Sequence, residues 1–171
     1  NESFSDIFGN TIERLYRPLQ WNWKIGEDLF NNGIRNMQNP GALGDPDTYF
    51  GTNWYIGTAD NGGVHTNSCV QNKWFYILTQ GETGTNDLGD AYSVTGIGID
   101  KASDIAYRNL VVYLTTNSQY ADARFYAIQS ALDLYGPCTN EVTQTTNAWY
   151  AVGVGPQFNP TGTPNFIASS T

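Results

Sequence analysis

Between Phe4 and Tyr16 the apolar residues stand at Phe4, Ile7, Phe8, Ile12, Leu15 and Tyr16. Steps of three or four alternate with steps of one, which draws one apolar stripe along an α-helix. Pro18 closes that helix, because proline has no N–H and clashes with the turn before it. The same period returns at Ala102, Ile105, Ala106, Leu110 and Leu114, and again at Ala121, Phe125, Ile128, Ala131 and Leu132. Asp100 is the expected N-cap of the former helix and Gly136 the expected C-cap of the latter. The stretch "VHTNSCVQNKWFYILTQ" reads as a helix buried over much of its surface, and "TNEVTQTTNAWYAVGV" as a weaker last helix. Striped helices must bury their stripes against one another, so the chain is expected to be mainly α.

Between these helices the composition changes. "LQWNWKIGEDLF" reads as a turn with a short helical piece. Residues 31–63 are dense in Gly, Asn, Asp and Pro and read as one long structured loop. A loop of that length inside a compact domain is usually functional. "GETGTNDLGDAYSVTG" reads as a second loop, and residues 156–171 as a linker or tail.

The 171 residues are 40% hydrophobic, which suits one domain with one buried core. A net charge of -8 repels nucleic acid and anionic lipid, so neither is an expected partner. No apolar run approaches the roughly 20 residues that span a bilayer. Charged residues are only 14% while Asn, Thr, Gly and Tyr abound, an extracellular style of surface. There is no signal peptide and Asn1 is not an initiator methionine, so the chain reads as a mature product or an excised piece. Cys69 and Cys138 lack a C-x-x-C spacing and are either two buried thiols or one disulfide. The secreted style and the even count favour the bridge.

His65 is the only histidine. An isolated histidine is usually a satisfied core or surface group. Here Asp60 stands five residues upstream, across Gly62-Gly63, where a turn can fold its carboxylate back against the imidazole. A carboxylate there fixes the tautomer and favours the charged ring. Such a pair suits a hydrogen-bond donor to a developing oxyanion. Glu2 and Asp6, four apart, share a face of the first helix. Arg35 is a planar, charged fork in a polar loop, suited to a carbonyl or carboxylate. Glu13, Glu27 and Asp28, with Asn22, are oxygen ligands of the type calcium takes, too scattered for an EF-hand loop. One histidine and one glutamate do not close a zinc site.

The segments "NESFSDIFG", "WKIGEDLF", "IRNMQNP", "GDPDTYF", "DNGGVHTNS", "VTGIGIDKASDIAYR", "AIQSALDLYG" and "AVGVG" occur here in order. Together they resemble the C-terminal half of thermolysin-like zinc endopeptidases, from Asn1 to about Gly155. The resemblance implies the helical C-terminal domain of that fold, an orthogonal helix bundle with long loops over residues 1–155. An active-site cleft would lie above it, with a β-rich upstream half across the cleft. It implies roles residue by residue. Glu2 would be a zinc ligand and Asp6 the carboxylate that orients a zinc-bound histidine. His65 would donate to the tetrahedral oxyanion, supported by Asp60, and Arg35 would hold the substrate carbonyl beyond the scissile bond. Ile25, Leu29 and Ile34 would wall the apolar pocket for the residue after that bond. Zinc is the implied cofactor, a peptide the implied substrate, and secretion the implied fate.

Departures from the family pattern are equally readable. The His-Glu-x-x-His helix, with two zinc ligands and the general base, is absent, so the chain alone is expected to be inactive. Lys24 and Asn22 stand where acidic residues are expected, which leaves Glu13 and Glu27 for a single, weak calcium ion. A different reading makes the domain a non-catalytic extracellular module that binds peptide or glycan through Trp21, Trp23, Trp54 and Tyr55.

Overall fold

A computed structural model describes residues 1–161. The fold is mainly α, with two short antiparallel sheets. Helix α1 spans Glu2–Tyr16 and buries Phe4, Asp6, Ile7 and Asn10 on one side. Strands β1 (Lys24–Ile25) and β2 (Arg35–Asn36) form a minimal hairpin that puts Ile25 opposite Arg35. A 3₁₀ turn over Pro40–Leu43 follows. Helix α2 (Asp60–Asn67) runs almost directly into α3 (Cys69–Gln80). Strands β3 (Gly81–Thr85) and β4 (Ala91–Thr95) come next, then α4 (Ile99–Arg108), α5 (Tyr120–Tyr135) and α6 (Asn140–Ala151).

Helix α3 is the centre. Val70, Trp74, Phe75, Ile77 and Leu78 have no exposed surface, and Cys69 is 1% exposed. A helix apolar nearly all round must be enclosed, and α1, α4, α6 and the β3–β4 hairpin enclose it. Trp74 stacks on Trp149 of α6, with centroids 4.7 Å apart. Burying a large apolar side chain stabilises by about 1.5–3 kcal/mol, so this pair anchors α6. Helix α5 presents Ala123, Ala127 and Ala131 inward. These small residues let α4 and α6 approach its backbone closely.

Three local expectations differ from what forms. Residues 81–95 are a β-hairpin rather than a loop, with Gly81 opposite Thr95 and Thr85 opposite Ala91. Gly81 makes the transition from α3 at φ +80°, and a Cβ there would lie 2.7 Å from the Gly96 nitrogen. At the tip, Asn86 Oδ1 accepts the Leu88 and Asp90 N–H groups. Asp100 lies inside the first turn of α4, two residues too late to cap it, and Gly98 holds the N-cap position. There the carboxylate favours the helix dipole instead. After Arg108 the helical path widens into a π turn over Asn109–Tyr113, where buried Asn109 donates to the Ala123 carbonyl at 2.9 Å. Gly136 ends α5 as expected, its N–H on the Leu132 carbonyl. Pro156 and Phe158 are tied back to Arg124 and Asn147. Residues 162–171, most of the expected tail, lie outside the described residues.

Candidate active site

The start of α2 is left-handed over four residues, with φ of 52° at Asp60, 50° at Asn61, 85° at Gly62 and 79° at Gly63. Glycine enters this region freely, and Asp and Asn do so more readily than other residues with side chains. Gly63 has a second reason, because a Cβ there would lie 2.5 Å from Tyr55 Cδ1. The run doubles the chain back so that Asp60 faces His65. Oδ2 accepts the His65 backbone N–H at 2.9 Å, and Oδ1 lies 2.6 Å from Nδ1. His65 Nε2 faces the Glu2 carboxylate at 3.3 Å, across from α1. Both ring nitrogens thus meet carboxylate oxygens, and only the imidazolium donates to both. The His65 backbone N–H, and then its ring, hold the Asp60 carboxyl below the usual carboxylate range.

Arg35 enters from β2. Its Nη1 donates to Asp6 Oδ1 at 3.2 Å and its Nε to the His65 carbonyl at 3.3 Å. Asp6 is 6% exposed, and Asn72 of α3 donates to its other oxygen at 2.7 Å. Burial pushes the Asp6 carboxyl up, opposed by the Asn72 hydrogen bond and the Arg35 charge. Among the described residues no acceptor meets Arg35 Nη2, which leaves one arm of the fork for a ligand. On the same hairpin Ile34 and Leu29 are largely exposed and Ile25 is half-buried. Ile25 pairs with Arg35 across the hairpin and Ile34 precedes it, whereas Leu29 lies in the connection between the two strands. Glu2, Asp6, Arg35, Asp60 and His65 therefore gather together from three elements of the chain, α1, β2 and α2.

A cleft of about 690 Å³ opens beside Glu2. Phe4, Tyr49, Trp54, Leu110, Leu114 and Tyr120 give it apolar walls. Ser3 and Gln71 lie behind this wall, both more than nine-tenths buried, and Ser3 Oγ and Gln71 Nε2 find no partner among the described residues.

Other sequence candidates fall elsewhere. Glu13 and Glu27 lie near each other at the far end of α1, and burial and then the Glu27 charge push the Glu13 carboxyl up. The Arg17 guanidinium bonds Asp28 and pairs with Glu13, and the Asn22 amide takes Glu27 at 2.8 Å. Among the described residues no three His, Cys, Asp or Glu side chains come together as a metal site. Arg17 and the Asn22 amide engage these carboxylates. The chain by itself does not fit a catalytic zinc, for which Glu2 is one ligand where three are needed.

The expected disulfide is not formed, and both cysteines are free thiols. Cys69 is sunk in the core at the start of α3, whereas Cys138 is exposed in the turn before α6. Burial and the nearby Asp45 carboxylate push the Cys69 thiol up, which keeps it protonated and unreactive. Two of the four aromatics of the binding-module reading, Trp21 and Trp23, are engaged with the fold. Trp23 is 8% exposed, packed edge-on against Trp21 and Tyr76, and Trp21 donates to Asn10. Asn67 and Asn72 were not anticipated at the site. Asn72 lies two helical turns beyond His65, and that spacing was the only signal for it.

The profile of the thermolysin metallopeptidase α-helical domain matches residues 1–154. Thermolysin of Alicyclobacillus acidocaldarius subsp. acidocaldarius is 46% identical over 159 residues. Bacillolysin of Bacillus caldolyticus and the thermostable neutral protease NprT of Geobacillus stearothermophilus are each 45% identical over the same length. Each alignment covers 90% of this chain and 28% of the relative, so the chain spans under a third of the relatives' length.

Proposed function

We propose, for a chain that belongs to the thermolysin metallopeptidase family through its α-helical domain, that it is the C-terminal half of a secreted zinc metalloendopeptidase and is inactive alone. The observation that carries this reading is the convergence on His65. Asp60 holds Nδ1 at 2.6 Å, Nε2 already faces an anion, and Arg35 bonds the His65 carbonyl. A preorganised donor aimed at growing negative charge is the strongest device for stabilising an acyl-transfer transition state.

In the parent, His65 donates from Nε2 to the oxygen of the scissile carbonyl as charge develops there. Asp60 keeps the ring oriented throughout. The open arm of Arg35 donates to the carbonyl of the residue after the cut. An apolar side chain of that residue lies against Ile25, Leu29 and Ile34. Glu2 would hold zinc as one ligand, with the others from the upstream half, and the metal would supply Lewis-acid polarisation of the carbonyl. That half is also the partner that covers the cleft, with an apolar face toward its walls. The described residues include no helix long and apolar enough to cross a membrane.

The test is zinc analysis together with peptide cleavage, on this chain, on the parent and on parent variants. His65→Phe should lower turnover by on the order of 100- to 1000-fold while zinc content stays. Glu2→Gln should lose zinc and activity together. Loss of zinc in the His65 variant, or zinc-dependent cleavage by this chain alone, would overturn the assignment.

A further inference from the structure

The His65 turn is held by a residue that touches neither the imidazole nor any acid of the site. Asn67, 8% exposed, closes α2. Its Oδ1 accepts the Tyr55 backbone N–H at 3.0 Å, and its Nδ2 donates to the Tyr55 carbonyl at 3.0 Å. The amide thus pairs with both polar groups of Tyr55, as a neighbouring strand would. The same Nδ2 donates to the Gly62 carbonyl at 3.2 Å, inside the left-handed run. From the other side, the Tyr120 hydroxyl donates to the Asn67 carbonyl at 2.7 Å. One side chain therefore joins the loop at Tyr55, the turn at Gly62 and, through its backbone, α5.

We propose that Asn67 is a positioning residue, which locks the left-handed turn 60–63 in the one conformation that lays Asp60 against His65. The catalytic meaning of that lock rests on the reading of His65 given above; the lock itself does not. The chain of effect is short. Asn67 fixes Tyr55, and the Tyr55 ring occupies the space over Gly63 where a Cβ would collide. Asn67 also fixes the Gly62 carbonyl. Asp60 and Asn61 carry side chains in a conformation such residues rarely adopt, so the turn opens unless its surroundings over-determine it. When it opens, Asp60 leaves both the His65 N–H and Nδ1. Only a side-chain amide of this length offers a donor and an acceptor at the Tyr55 spacing. Aspartate keeps the acceptor for Tyr55 N–H, loses the donor, and turns a charge toward two carbonyls. Glutamine keeps both groups but sets them one methylene too far.

The lone histidine makes the test clean, because a nitrogen-15-labelled chain has one imidazole to observe. At one fixed pH, the Nδ1–H resonance and the amide exchange of Gly62, Gly63 and His65 are compared in the unchanged chain, in Asn67→Ala, Asn67→Asp and Asn67→Gln, and in a control, Asn109→Ala. Asn109, also buried, bonds the Ala123 carbonyl, away from the turn. Asn67→Ala should lose the protected Nδ1–H signal and speed exchange at the three amides by on the order of tenfold or more, while remaining folded. Asn67→Asp should keep Tyr55 N–H protected but loosen Gly62. The control should lose melting temperature and leave the His65 signals in place. Unchanged His65 signals in Asn67→Ala would overturn the proposal, and so would an equal change in the control. If Asn67→Ala does not fold, the Asp and Gln variants decide by the same signals. Peptide cleavage by the parent Asn67→Ala then separates the two ideas. Altered His65 signals with unchanged turnover would keep the lock and reject the role given to His65.

Discussion

The two ends of α1 carry the same chemistry in different surroundings. At the N-terminal end Asp6 meets Arg35 at 3.2 Å, with side chains 6% and 14% exposed. At the C-terminal end Arg17 meets Asp28 and Glu13, and the Arg17 and Asp28 side chains are 43% and 65% exposed. A carboxylate–guanidinium pair in water is screened and loses much of its attraction to solvent. A buried pair is expensive to assemble but more expensive to break, because the survivor is left charged and unpaired. The helix therefore has one end where the charged pair is sealed from water and one end where it is not.

The contrast predicts a large effect first. Asp6→Ala strands the Arg35 guanidinium and the Asn72 amide together, and should destabilise the domain by about 3–5 kcal/mol. Urea denaturation measures this. A loss below about 1 kcal/mol would make the two ends equivalent and break the comparison. The middle of the helix should be intermediate. Asn10 has no exposed surface, donates to the Asn22 carbonyl at 2.8 Å and accepts Trp21 Nε1–H at 3.0 Å. Asn10→Leu leaves both of those groups unpaired, and should cost about 1–3 kcal/mol in the same assay.

Why one end was legible in the sequence and the other was not follows from the same physics. The helices α1, α4 and α5 announce themselves through period and punctuation, since burial of a stripe demands both. The contact of Asp60 with His65 is legible because a Gly-Gly pair between an acid and a base five residues apart leaves the chain little else to do. The β3–β4 hairpin is not legible. Strand β4 alternates, with Tyr92 and Val94 turned inward, but over only five residues, and its partner β3 carries no apolar residue at all. The cysteine pairing is not legible either, because the depth of Cys69 and the exposure of Cys138 are set by packing across the whole domain. Asn67 and Asn72 look like helix-surface amides in the sequence. Only tertiary structure brings Tyr55 to the first and Asp6 to the second. The acids at the C-terminal end of α1 suggested calcium by residue type alone. Residue type does not say that Arg17 reaches them first.

The smallest effect belongs to that end, and its dependence on conditions identifies it. Arg17 holds the Asp28 carboxyl below the usual aspartate range, first by hydrogen bond and then by charge. The folded-state pKa is thus lower than the unfolded one. The pair's contribution is complete above the usual value of about 3.9, and is lost as pH falls through the lower folded value. Asp28→Asn should therefore lower the melting temperature only slightly at pH 7, and the gap to the unchanged chain should narrow as the solution is acidified. Molar salt should narrow it too, because exposed charges are screened. The gap produced by Asp6→Ala should survive the same salt, since its partners are buried. Exchanging excess chelator for millimolar calcium should leave the unchanged chain's melting curve where it was, with Arg17 and Asn22 already on the acids a calcium ion would need. Thermal melts of both variants at pH 7 and pH 3, in low and high salt, measure all of this. An Asp28→Asn gap as wide as that of Asp6→Ala, or one that salt leaves untouched, would mean that solvent exposure does not distinguish the two ends after all.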